Sequence, residues 1–121
     1  MLENNVKIHP VTKETIELFI ERVKEYEGDN LSKIILFGSV ARGEANEDSD
    51  IDVLSILKKC SYEHREKIID IVVDVESDMD YDVNAYLQAL TMSEEESKGI
   101  HFFDLMNNVN REGVVLYDSG Q

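Results

Sequence analysis

The stretch Leu36-Phe37-Gly38-Ser39-Val40-Ala41-Arg42-Gly43, followed by Asp48-Ser49-Asp50-Ile51-Asp52-Val53-Leu54, constrains this chain more than any other part of it. An apolar, β-branched run ends abruptly on two small residues. After a gap of ten residues, 40–49, a second apolar run opens on a pair of carboxylates. Gly38 permits a sharp turn and lets a ligand come close to the backbone, because no Cβ stands in the way. Amides that follow such a turn at the start of a helix point outward and attract anions. The Ser39 hydroxyl can add a hydrogen bond to a phosphate, and Arg42, one turn on, can bring a positive charge to it.

Asp50 and Asp52 are two residues apart, so in a strand they share a face. Side by side, two carboxylates repel unless a cation lies between them. Carboxylate oxygens suit Mg²⁺, which keeps waters and binds substrate phosphates as well. Alone, an Asp-x-Asp pair in an acidic chain is more often a polar turn, and a Gly-Ser after a strand is more often only a turn. Together at this spacing they describe a site for a metal-bound nucleoside triphosphate.

Other phosphate and metal motifs do not fit. No Gly-Lys-Ser/Thr and no G-x-G-x-x-G occurs. Asp48, Asp50 and Asp52 imitate the start of an EF-hand loop, but Val53 stands where the loop needs Gly and Lys59 where it needs a chelating Glu. Asp78, Asp80 and Asp82 fail in the same way, at Val83 and Ala89. Cys60 is the single cysteine, which excludes an internal disulfide and a cysteine-based zinc site; it reads as a part-buried thiol. His9, His64 and His101 have no ligand spacing and read as surface or packing residues.

At 121 residues the chain is expected to be a single domain, 1–121. Its formal net charge of -14 argues against direct nucleic-acid binding, which depends on Lys and Arg. No apolar run approaches the roughly 20 residues of a membrane span. The N-terminus has no basic segment followed by an apolar one. A cytoplasmic protein without membrane contact is therefore expected.

Periodicity predicts a helix over Val11–Tyr26 with Thr12 as N-cap and Ile16, Phe19, Ile20 and Val23 inward. A strand follows over Ser32–Phe37, then a short helix from Ser39 and a polar loop over Gly43–Ser49. Asp50–Leu57 reads as a strand that is apolar on both faces beyond its carboxylates, hence central in the sheet. Ser61 is expected to cap a helix reaching about Ser77, with Ile68, Ile69, Val72, Val73 and Val75 forming a broad apolar face.

Tyr81–Leu87 reads as the third strand, Tyr81, Val83, Ala85 and Leu87 on one face and Asp82, Asn84 and Tyr86 on the other. If two metals are held, Asp82 is the expected third carboxylate, with Asp80 as runner-up. Ser93-Glu94-Glu95-Glu96 fits a capping box. A helix over Phe102–Asn110 and a strand over Gly113–Tyr117 complete an α/β (α+β) fold, a small mixed sheet flanked by helices.

Gly38-Ser39, the ten-residue gap and Asp50-Ile51-Asp52 resemble the signature of the nucleotidyltransferase superfamily that includes DNA polymerase β. Gly38-Ser39-Val40-Ala41-Arg42-Gly43, Ser49-Asp50-Ile51-Asp52 and the closing Arg111-Glu112-Gly113-Val114-Val115-Leu116-Tyr117 resemble its minimal members, the MNT proteins. Residues 88–101 match no motif of the family. The resemblance implies a polymerase β-like fold and two-metal transfer from ATP. Gly38 and Ser39 would grip the triphosphate, Asp50 and Asp52 would bind both Mg²⁺ ions, and Asp82 would complete the metal site.

MNT proteins commonly act as antitoxins that transfer AMP to a tyrosine of a HEPN toxin, so a HEPN partner is implied. A homo-oligomer is left open. Two alternatives stand beside this reading. One is a non-catalytic antitoxin that works by binding alone. The other is a small-molecule enzyme of the aminoglycoside type, against which the missing acceptor domain counts.

Overall fold

The computed structural model describes residues 8–46 and 48–120. Four strands form one mixed sheet in the order β3-β2-β1-β4. β1 (Leu31–Phe37) and β2 (Ile51–Leu57) are antiparallel, as are β1 and β4 (Val114–Asp118), whereas β2 and β3 (Leu87–Ser93) run parallel. β2 is an interior strand, as its two apolar faces require. The parallel step from β2 to β3 needs a crossover, and α3 (Tyr62–Asp78) supplies it.

α1 (Pro10–Glu27) and α3 cover one face of the sheet. Ile16, Phe19 and Val23 of α1 and Ile68, Ile71 and Val75 of α3 pack there with Leu36, Val53 and Leu87. α5 (Phe103–Glu112) covers part of the other face, where Val109 packs with Ile35, Leu54, Ile56 and Met92. Adjacent residues of β2 thus serve opposite faces. Val53 points toward α1 and α3, and Leu54 toward α5.

Several expected boundaries move, for local reasons. α1 starts at Pro10, and His9 rather than Thr12 is its N-cap, with Nδ1 accepting from the Val11 amide at 3.1 Å. Pro10 suits the first helical position, where its missing N–H costs nothing. Thr12, one turn inside, donates its hydroxyl to the Asn84 carbonyl at 2.7 Å. α2 (Gly38–Ala41) begins at the glycine itself. Ser61 caps α3 as expected, but the broad apolar face divides. Ile68, Ile71 and Val75 are buried, while Ile69 and Val73 are exposed.

The third strand is the main correction. It lies at Leu87–Ser93, not Tyr81–Leu87. α3 runs on to Asp78, and the chain reverses through Asp80 and Tyr81 at positive φ. A 3₁₀ turn at Val83–Ala85 follows, capped by the Asp82 side chain. The alternation of Tyr81, Val83 and Ala85 therefore belongs to a turn. Glu76 fixes where the strand begins, its carboxylate accepting from the Leu87 amide at 2.9 Å.

After β3 the capping box is complete. The Ser93 hydroxyl accepts from the Glu96 amide and the Glu96 carboxylate from the Ser93 amide, which opens α4 (Glu94–Ser97). The last helix and the last strand begin one residue later than expected and extend to Glu112 and Asp118. Cys60 is part-buried, and burial pushes its thiol up, away from the reactive thiolate form. No helix among the described residues is long and apolar enough to cross a membrane.

Candidate active site

β1 ends at Phe37, which is paired in register with Asp52 at the start of β2. The turn after Phe37 therefore sits beside the acidic pair. Gly38 makes that turn at φ +73°. A Cβ at this position would overlap the Asp52 Oδ2 and lie 3.0 Å from its Cγ. The carboxylate of Asp52 thus occupies the space that any side chain at position 38 would take. The signature glycine provides both a backbone angle and room for the acid.

Asp52 has the parity of Leu54 and Ile56, so it points to the face that α5 covers further along. Asp50 shares that parity but lies just before the strand rather than in it, and it is exposed. Partial burial raises the Asp52 carboxyl above its ordinary value, and the nearby negative charge of Asp50 raises it further. The Arg42 guanidinium acts in the opposite direction. Acid is thus held close to acid at the end of the strand.

Arg42 follows the last residue of α2. Its Nε donates to Glu44 at 2.7 Å and its Nη1 to Glu112, in the last turn of α5, at 3.2 Å. It is within electrostatic reach of Asp52 but held by two glutamates. Ser39 and Arg42 therefore stand on the same short turn as Gly38, beside Asp52.

Asp82 does not join them on the ground that suggested it. Its carboxylate accepts from the Asn84 amide at 2.8 Å and from the Asn84 side chain at 3.1 Å. That turn is tied to α1 through Thr12. Asp80 sits at φ +56° in the preceding turn. Among the described residues, no three His, Cys, Asp or Glu side chains gather as a metal-binding group. The residue of β3 paired with Asp52 is Gln88, an amide on the same face. Gln88 and Glu112 were not legible as site residues. Finding Gln88 needs the true start of β3, and finding Glu112 needs the end of α5 brought against α2.

The donor set nonetheless suits Mg²⁺. Two carboxylates at one strand end, open to solvent on one side, leave positions for phosphate oxygens and water, the usual environment of that ion at a nucleotide.

A nucleotidyltransferase domain model matches residues 16–109, which include the turn, the acidic pair and Gln88. The chain belongs to the nucleotidyltransferase family. Two Methanocaldococcus jannaschii proteins, each named "Putative protein adenylyltransferase", are similar to it. One is 31% identical over 105 residues, 87% of this chain and 97% of that protein. The other is 42% identical over 60 residues, 43% of this chain and 61% of that protein.

Among solved structures, a toxin-antitoxin crystal structure with AMP-PNP superposes with a TM-score of 0.58 at 21% identity, over 85% of this chain and 73% of that one. A tri-AMPylated Shewanella oneidensis HEPN toxin in complex with an MNT antitoxin gives 0.52 at 16% identity, over 89% and 73%. At these identities the structural matches establish the fold. The family match and the relatives make this nucleotidyltransferase an enzyme of nucleotide transfer.

Proposed function

We propose that this nucleotidyltransferase transfers AMP from Mg²⁺-bound ATP to a tyrosine hydroxyl of a HEPN-type toxin and acts as that toxin's antitoxin. The observation that carries the reading is Asp52 lying over Gly38, which joins the phosphate turn and the metal carboxylates in one site. The relatives named as protein adenylyltransferases and the fold shared with toxin-antitoxin structures support the acceptor class.

In this reading Gly38 and Ser39 hold the triphosphate, the glycine by permitting close approach and the serine through its hydroxyl. Asp50 and Asp52 would hold Mg²⁺ together with phosphate oxygens. When bound, the metal supplies charge neutralisation on the triphosphate and stabilises the departing pyrophosphate. Arg42 exchanges a glutamate contact for a phosphate contact. The acceptor oxygen forms a bond to the α-phosphorus as the bond to pyrophosphate breaks, and the hydroxyl proton is released. Asp82 keeps the role of turn cap, which leaves a two-carboxylate site with Gln88 beside Asp52.

The test is Asp50→Asn with Asp52→Asn. Asn preserves shape and removes the charge that holds the metal. Mass spectrometry of the partner should find added AMP with the native chain and none with the double variant, and a growth assay should find toxicity restored. A double variant that neutralises fully, together with no adduct from the native chain, would replace transfer by neutralisation through binding alone.

A further inference from the structure

The side of α3 turned away from the sheet carries Tyr62, Ile69 and Val73, exposed by 72%, 60% and 53%. Steps of seven and four residues put them in one line along the helix. The core contact of α3 is made by Ile68, Ile71 and Val75, on the opposite side. Ile69 and Val73 therefore contribute nothing to the core. They are also weaker helix formers than the Ala, Lys or Glu that an exposed position accepts. Neither folding nor local helix stability explains an apolar line there.

Charge narrows what could cover it. Glu63, Glu66, Asp70 and Asp74 are exposed beside the line. Two basic residues of the helix are engaged within the chain, Arg65 one turn before Ile69 at the edge of the line and Lys67 farther round. Arg65 reaches Glu96 at 2.7 Å, and Lys67 lies over the Tyr26 ring at 5.2 Å from its centroid. A second copy would bring carboxylates against carboxylates in a chain of net charge -14. Nucleic acid and anionic lipid are disfavoured for the same reason.

We propose that this face of α3 docks a protein whose contact surface is apolar at its centre and rimmed by Lys and Arg. It rests on the reading above, in which that protein is the HEPN-type toxin. The consequence is a division of labour. α3 packs on the sheet face opposite the one toward which Asp52 points, so a partner held there leaves the site of Gly38 and Asp52 open. Holding the partner and modifying it then become separable.

The experiment uses the full chain and a HEPN-domain protein from the same organism, with calorimetric affinity measured at low and at moderate salt. Ile69→Glu with Val73→Glu should weaken binding by about tenfold or more, since each puts a carboxylate where apolar contact is made and its desolvation is costly, while Mg²⁺-ATP affinity stays unchanged. Asp70→Lys with Asp74→Lys keeps the apolar line and should weaken binding mainly at low salt. Unaltered melting of both variants would show that the fold is intact. If the native chain binds and the Ile69/Val73 variant binds equally well, α3 is not the docking face, and the toxin reading survives. If the native chain does not bind at all, the toxin reading fails and takes this proposal with it. A native dimer that the Ile69/Val73 variant makes monomeric would assign the face to a second copy and overturn the basic partner.

Discussion

The carboxylate of Asp52 lies where a Cβ of residue 38 would be, so a side chain at position 38 would have to displace it. A residue chosen for backbone freedom in one motif thereby sets the position of an acid in the other. Gly38→Ala imposes positive φ on a residue with a side chain and drives that side chain into Asp52. The expected cost is about 1–3 kcal/mol of stability, with Mg²⁺-ATP binding lost in the fraction that still folds. Thermal melting and calorimetry measure the two effects, and an alanine variant with native affinity would refute the pairing.

Asp52 makes stability depend on pH in an unusual direction. Its carboxyl is raised by burial and by Asp50, so the folded chain holds this proton more tightly than the unfolded chain does. Between the ordinary carboxylate range and the raised value, the folded state binds more protons, and this group's contribution falls as pH rises. Asp52→Asn should therefore stabilise the metal-free protein at neutral pH and flatten that part of its pH profile. Added Mg²⁺ should raise the melting temperature of the native chain and not of the variant. A variant less stable than native at pH 7 without metal would contradict the argument.

Asp82 and Gln88 separate two versions of the site. Asp82 caps a turn, and Gln88 is the β3 residue paired with Asp52. Asp82→Asn can still accept the Asn84 amide through its side-chain oxygen, so nucleotide affinity should change by less than about twofold, a surface-scale effect. Gln88→Glu places a further carboxylate beside Asp52 and should destabilise the metal-free chain, with Mg²⁺ restoring part of the loss. Loss of Mg²⁺-ATP binding in Asp82→Asn would return Asp82 to the metal site.

Ser39 and Arg42 should act on the nucleotide without acting on the fold. Ser39→Ala removes one hydroxyl, and its affinity loss is expected to be close to tenfold, the order of one hydrogen bond to a charged group. Arg42→Gln loses a charge now shared with Glu44 and Glu112. It should weaken ATP more than AMP, because fewer phosphate charges remain on AMP. Equal losses for the two nucleotides would place Arg42 away from the terminal phosphates.

The sequence by itself determined the elements whose cause is local. Gly38-Ser39 ends a β-branched run, Asp50-x-Asp52 opens another, and Ser61 and Ser93 cap their helices. Each of these depends on residues within one turn or one strand, so pattern and spacing sufficed. The double-sided apolar character of Val53 to Leu57 likewise placed β2 inside the sheet.

Tertiary structure decided what depends on partners distant in sequence. Tyr81–Ala85 alternates like a strand, yet it has no neighbour to pair with. The Leu87 amide, held by Glu76, and the register against Ile51 fix where pairing begins. That shift exchanges Asp82 for Gln88 beside Asp52. Thr12, a good N-cap by type, gives its hydroxyl to Asn84 instead. Ile69 and Val73 look like core residues because hydrophobicity carries no direction, and only the packing of Ile68, Ile71 and Val75 shows which side of α3 meets the sheet. The contact of Gly38 with Asp52 is of the same kind, since it exists only because β1 and β2 end side by side.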